Sequence, residues 1–308
     1  MTAKLIFSNN QKLDIRVQYL NNKKPIAWIA QNYNISVTPI KKVLKELEVK
    51  IRSPRETSRK YFLNENYFNI INTYDKVYFL GLLMADGYNN EKRGTVTLIL
   101  VKKDKQILKR FCDYIKTNKP IIDVKSTHER WSDTCRMEIC SQNISKKLSR
   151  YGCGQAKTFK LKFPKFLKGD LVRHFIRGYF DGDGCISYCY ARRNNFFNNS
   201  FLSIVSFTST KSFCLYLQKY FKNNLKINSS ITCRHPDKKN NIRTLRISGN
   251  KQVIKFMKWL YKDVDLYLER KYLKFVDIKN ILKYRSKIVS KLRSDNGKNI
   301  IKEINKIV

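Results

Sequence analysis

Tyr78-Phe79-Leu80-Gly81-Leu82-Leu83-Met84-Ala85-Asp86-Gly87 and Phe175-Ile176-Arg177-Gly178-Tyr179-Phe180-Asp181-Gly182-Asp183-Gly184 end in the same way. Each has a Gly, an apolar stretch, a small residue and then Asp-Gly. Read alone, such an apolar segment is plain core helix. Two copies with one ending predict a pair of helices that each deliver a carboxylate at the C-terminal end. Gly81 and Ala85 lie four apart, as do Gly178 and Gly182. Each helix therefore has one face almost without side chains, and two such faces allow close backbone approach. Packing through them brings Asp86 and Asp183 together. Gly87 and Gly184 suit a chain that leaves each helix through a left-handed conformation.

Helix C-termini carry partial negative charge, so two of them with paired carboxylates favour a divalent cation. Hard oxygen ligands completed by substrate phosphate are what Mg²⁺ prefers. Metals so held activate water and stabilise a leaving oxygen. A calcium loop starting at Asp181 is excluded, because its fifth position is Cys185 and its twelfth is Arg192. Arg177 and Asp181, four apart on one helix, are also spaced to pair with each other, which would make Asp181 structural.

Outward from each motif the chain repeats a layout. After Asp86 come a β-rich run at 95–101, a helix from Lys105 to Ile115, strand candidates at 120–126 and 134–140, and a helix from Asn143 to Arg150. After Asp183 come a strand at 203–208, a helix from Lys211 to Phe221, strands at 229–234 and 242–248, and a helix from Gln252 to Tyr261. The order helix, strand, helix, strand, strand, helix occurs twice, which is an internal repeat in an α+β chain. Lys160-Leu161-Lys162-Phe163-Pro164 reads as the connection. A basic helical tail starts near Tyr267.

Ahead of the repeats, residues 11–50 read as three short helices. Pro25 suits the first turn of the second, and Ser36 is a candidate N-cap for the third. The third helix points Val37, Ile40, Val43, Leu44 and Leu47 inward and Lys41, Lys42 and Lys45 outward. A tight turn before a basic third helix fits a helix-turn-helix entering a major groove, with a generic three-helix bundle as the alternative. Arg52, in Val49-Lys50-Ile51-Arg52-Ser53-Pro54-Arg55, reads as part of a basic exit segment along phosphate. The domain layout expected is 1–58, 59–158, a linker at 159–168, 169–285 and a basic tail at 286–308.

The 308 residues carry 63 Lys and Arg against 24 Asp and Glu, a formal charge of +39. Such an imbalance points to a polyanion, first of all nucleic acid, because Lys and Arg on phosphates release condensed counterions. Contact with ~6–10 phosphates predicts an affinity loss of roughly 10³–10⁵ between 50 and 200 mM salt. No apolar run approaches the ~20 residues of a spanning helix, so no membrane partner is expected. Eight cysteines without a CxxC pair, and only three histidines, give no zinc or histidine-cluster spacing. Unpaired thiols fit an intracellular protein. Heavy use of Lys, Asn, Ile, Tyr and Phe fits an AT-rich coding genome, as in a phage, a low-GC bacterium or an organelle.

The two segments resemble the LAGLIDADG motif, and residues 72–280 are similar to a single-chain, two-motif LAGLIDADG homing endonuclease. Phe175 to Ser187, with the preceding Lys160 to Pro164, carries most of the likeness. At the sixth motif position Met84 stands where the family has an acidic residue. The resemblance implies two pseudo-symmetric αββαββα-type repeats packed through their motif helices. It implies site-specific double-strand DNA cleavage by Mg²⁺-dependent phosphodiester hydrolysis, across the minor groove, leaving 3′ overhangs. Asp86 and Asp183 fall at the family's ligand position. A basic residue just after the last strand of a repeat would help polarise the reaction, which selects Lys251 in the second copy and places Gln142 in the first. The strands would form a saddle on duplex DNA, with Lys102, Lys103, Arg136, Arg192, Arg193, Arg234, Arg243 and Arg246 as phosphate or base contacts. A monomer is expected, because one chain supplies both repeats. An intron RNA maturase and a non-catalytic DNA-binding regulator are the alternatives. The termini lack the nucleophile and His-Asn pair of an intein.

Overall fold

In this computed structural model residues 7–52, 61–155, 157–191, 200–233 and 241–294 are described. The chain divides into Met1–Phe62 and Leu63–Val308.

The first unit is three helices, α1 (Asn9–Leu20), α2 (Ile26–Asn32) and α3 (Val37–Glu46). A capping box opens α1: Ser8 Oγ accepts from the Gln11 N–H, and the Gln11 side chain accepts from the Ser8 N–H at 2.9 Å. Pro25 and Ser36 stand at the N-cap positions of α2 and α3, and the Ser36 side chain makes no capping bond. Phe7, Ile15, Tyr19, Ile29, Ala30, Ile40, Val43, Leu44 and Val49 form a core of their own. Val37, expected inside, is 38% exposed. It begins the helix, one turn before the buried stripe closes at Ile40.

The second unit holds the repeat. The first copy is α4 (Tyr74–Ala85), β1 (Gly87–Asn90), β2 (Thr95–Val101), α5 (Lys105–Tyr114), β3 (Ile122–Val124), β4 (Thr134–Cys140) and α6 (Gln142–Arg150). The second is α7 (Leu171–Asp183), β5 (Gly184–Ala191), β6 (Ser200–Thr210), α8 (Lys211–Tyr220), β7 (Ser230–Thr232), β8 (Ile242–Ser248) and α9 (Asn250–Leu260). A long helix, α10 (Glu269–Ser294), follows. The two antiparallel sheets have the same order, β1-β2-β4-β3 and β5-β6-β8-β7. The fold is α+β, with two pseudo-symmetric repeats and a small all-α region before them.

Two strands appear that composition alone did not mark, β1 and β5. Each begins at the glycine after the motif aspartate. The register is equivalent: Gly87 pairs with Leu98 and Gly184 with Phe207, while Leu98 pairs with Met137 and Phe207 with Leu245. The segment read as a linker is packed. Leu161, Phe163 and Leu167 are buried, Thr210 Oγ1 donates to the Leu161 carbonyl at 2.6 Å, and Phe163 stacks on Tyr216. The second unit starts at Leu63 because the Asn64 N–H donates to the Ile115 carbonyl and Phe68 is buried in the repeat core.

Candidate metal and nucleic-acid site

The motif helices α4 and α7 touch backbone to backbone. A Cβ on Gly178 would overlap the Tyr78 carbonyl, and one on Gly81 would lie 2.8 Å from Tyr179 N as well as on the Phe175 carbonyl. A Cβ on Gly182 would collide with the Ala85 methyl and come within 3.1 Å of Asp86 Oδ2. Glycine is therefore required at these positions by contact, and the ends of the helices are forced together. Gly87 and Gly184 are required for a different reason from the one expected. Gly184 is extended, with φ −85° and ψ 155°, and neither glycine is left-handed. Each chain turns so sharply from helix to strand that a side chain would strike the last helical turn, at the Leu83 carbonyl in one copy and at Phe180 in the other.

This corner sets the carboxylates side by side. Asp86 follows the last residue of α4, and its oxygen lies against Gly182, next to Asp183. Both residues keep contact with solvent, so the crowding is one-sided. Asp86 is pushed up to about 6, first by loss of hydration and then by the charge of Asp183. Asp183 is raised as well, by loss of hydration, with the Tyr179 hydroxyl and two lysines acting in the opposite direction.

Two lysines that sequence reasoning missed hold the helix ends. Lys157 donates to the carbonyls of Leu83, at 3.0 Å, and Gly87. Lys271, 5% exposed, donates to the carbonyls of Phe180 at 2.6 Å, Asp181 at 2.7 Å, Gly182 at 3.3 Å and Gly184 at 2.6 Å. Each ammonium meets the negative end of one helix and lies near the carboxylates. Burial lowers both, Lys271 to about 8, while the aspartates pull them upward. Lys157 and Lys271 each follow the final helix of a repeat, α6 or α9. That shared place in the layout is the one signal that singles them out among 63 basic residues.

Gln142 and Lys251 are not brought to this pair. They start the helices after β4 and β8, at the far ends of the sheets. Gln142 packs on Gly94 in the β1–β2 turn, three strand residues or ~10 Å beyond Gly87. Lys251 is exposed and adjoins Asn250, which bonds Ser203 and Phe201, near the start of β6 and away from Phe207, the partner of Gly184. The basic residues needed near the aspartates come after the last helix, not after the last strand.

The other candidates separate by strand parity. Arg136 and Arg246 lie on the open faces, alternating with the buried Cys135, Met137, Leu245 and Ile247. Arg243 shares the inward parity of Leu245, is half-buried, and donates to the Ile242 carbonyl. Arg192, Arg193 and Arg234 lie outside the described residues. In the first unit Lys41, Lys42 and Lys45 are exposed on α3. Arg52 instead donates to the carbonyls of Lys23 and Lys24 and stacks over Tyr19, so it is a latch inside that unit. Asp181 does not take Arg177 as its partner: it accepts from the Tyr78 hydroxyl at 2.7 Å and the Leu268 N–H at 2.9 Å.

Residues 170–260 match the family model of the LAGLIDADG-like domain. Among solved structures, the chain is similar to the I-LtrWI LAGLIDADG homing endonuclease bound to target DNA, at 15% identity over 80% of this chain and 98% of the other, with a TM-score of 0.47. Likewise the I-SmaMI LAGLIDADG homing endonuclease bound to cleaved DNA is 13% identical over 76% and 95%, at 0.47. The LAGLIDADG meganuclease I-CpaMI bound to uncleaved DNA is 15% identical over 76% and 98%, at 0.47. No curated protein matches the chain. The match to the LAGLIDADG-like domain model thus falls on the second repeat, the one that carries Asp183.

Proposed function

We propose that this protein is a site-specific double-strand DNA endonuclease of the LAGLIDADG homing type, working as a monomer with Mg²⁺ and leaving 3′ overhangs. The observation that carries the reading is the pair Asp86 and Asp183, one from each of two like repeats, crowded at the corner where both helices meet both sheets. The names of the similar structures agree with a DNA substrate.

The residues present fit a divalent cation. Asp86 is raised first by loss of hydration and then by the charge of Asp183, and a cation would remove that second contribution. No cluster of three or more His, Cys, Asp or Glu exists among the described residues, so phosphate and water oxygens must complete the coordination, as Mg²⁺ prefers. When bound at Asp86 and Asp183, the metal supplies a more acidic water and charge stabilisation for the leaving oxygen. Asp86, raised to about 6, is ionised near pH 8 and ready to ligate. Lys157 and Lys271 fix the helix ends that carry them and add positive charge where a phosphate would gain negative charge. The open faces of the sheets, including Arg136 and Arg246, would lie along the duplex on either side.

The test uses a plasmid carrying the uninterrupted form of the chain's genomic insertion site. Cleavage should require Mg²⁺, and Asp183→Asn should lower its rate by at least ~10³-fold while DNA binding changes little. Undiminished cleavage by that variant would overturn the reading.

A further inference from the structure

We infer that residues 7–52 form a second DNA-reading module, which lays the leading end of α3 in the major groove of duplex DNA and reads bases through Val37 and Thr38. The cleavage proposal concerns Leu63 onward and does not use this unit.

The backbone supports the assignment first. The link between α2 and α3 is four residues long, Tyr33 to Ser36, and turns sharply because Asn34 is left-handed with φ 50°. Asn tolerates that conformation better than most residues. The Ile35 N–H closes on the Ala30 carbonyl at 3.0 Å, and the Asn34 N–H on Gln31 at 3.0 Å. Ala30 is buried on the inner face of α2, and Ile40 is completely buried on α3. A small residue there lets the two helices approach, which leaves the first turns of α3 standing outward.

The surface of α3 supplies the second argument. Val37, Thr38, Lys41, Lys42 and Lys45 are exposed, opposite the buried Ile40, Val43 and Leu44. Spacings of three and four place them on one side of the helix. No carboxylate pairs with Lys41, Lys42 or Lys45 among the described residues. Glu46, on the same helix, is engaged by Lys12 at 3.1 Å. Across residues 7–52 there are nine Lys and Arg against three Asp and Glu. Val37, 38% exposed at the head of this basic helix, is accessible to a base edge. A thymine methyl gives Val37 an apolar contact, and the Thr38 hydroxyl can donate to or accept from a base edge. The lysines behind them then neutralise phosphates.

Duplex DNA is the partner because its major groove, ~12 Å wide, admits an α-helix, whereas the deep, narrow major groove of A-form RNA does not.

The experiment selects duplexes from a randomised pool with the full chain in EDTA, which blocks cleavage, and then sequences what is bound. Two separate blocks of preferred sequence are expected. Lys41→Gln/Lys42→Gln/Lys45→Gln should erase one block and reduce the slope of log affinity against log salt by roughly 3. Val37→Ala/Thr38→Ala should change base preference in that block alone and leave the salt slope unaltered. All five positions are exposed, and unchanged thermal melting verifies folding of both variants. A single block in the parent chain, variants that keep the parent pattern, or equal competition by duplex RNA would each overturn the inference. An Asp183→Asn chain retains both blocks under either outcome of the cleavage test, so the two proposals fail separately.

Discussion

The two motif helices align position for position on their glycines, yet one buried stripe differs completely between them. Aligned on Gly81 and Gly178, Val77, Leu80 and Met84 of α4 match His174, Arg177 and Asp181 of α7. All six are buried. In α4 the stripe is ordinary apolar core. In α7 it is a polar network: Arg177 donates to the Leu266 carbonyl at 2.8 Å and contacts His174 Nδ1 at 2.9 Å, while Asp181 joins Tyr78 to the Leu268 N–H. The partners on 266–268 belong to the segment leading into α10, which follows only the second copy. The pseudo-two-fold is thus a property of backbone contact and strand register. Side-chain chemistry away from the glycine face has diverged to hold the C-terminal helix.

That contrast can be broken in steps. The shared glycine face should matter most. Gly178→Ala puts a methyl on a backbone oxygen that cannot move aside, and a loss above ~4 kcal/mol is expected, seen as absence of a cooperative melt of the second unit. Ala85→Gly on the same face, opposite Gly182, should cost only about 1 kcal/mol. Similar melts for the two would remove the backbone basis of the symmetry.

The polar stripe comes next. Arg177→Leu alone takes the buried donor from the Leu266 carbonyl and from His174 Nδ1 and should destabilise by about 3 kcal/mol in urea titration. Converting the stripe to that of α4, with His174→Val, Arg177→Leu and Asp181→Met together, should recover part of the loss, because the groups of the network leave together and the remaining buried cation, Lys271, keeps its main-chain carbonyls. If the triple change is as harmful as the sum of its parts, the network does more than fill space.

The smallest expected effect is a pH dependence. His174 is lowered to about 4, first by burial and then by the Arg177 charge, and its ring stacks on Tyr74. Its folded value lies below its unfolded one, so the folded state binds fewer protons between about 6.5 and 4. Stability is intact above that window and falls as the pH drops through it, by about 2 kcal/mol from pH 8 to pH 5. His174→Gln should flatten the profile, and an unchanged slope would assign the acid sensitivity elsewhere.

The sequence made the helix pair legible because small residues at spacing four state their own purpose. It also made the repeat legible, since the order of elements recurs. β1 and β5 were hidden: a strand of Gly-Tyr-Asn-Asn lacks the β-branched residues that mark strands, and a Gly after a helix reads as a cap. Lys157 and Lys271 were hidden for another reason. Their partners are main-chain carbonyls, which have no letter in the sequence, and their position relative to those carbonyls exists only once the helices pack. Arg52 went astray in the same way, taken by carbonyls of Lys23 and Lys24 rather than by solvent or phosphate.

The sharp corner after each motif helix has a mechanical consequence. One peptide bond separates Asp86 from β1, and one separates Asp183 from β5. There is no slack segment to absorb motion. A tilt of either sheet, imposed by a duplex of slightly different shape, must swing the attached carboxylate about that joint. In an enzyme of the proposed kind, a poor match between groove and sheet would be felt as a displaced ligand, so that recognition and chemistry are geared to each other without an intervening moving part.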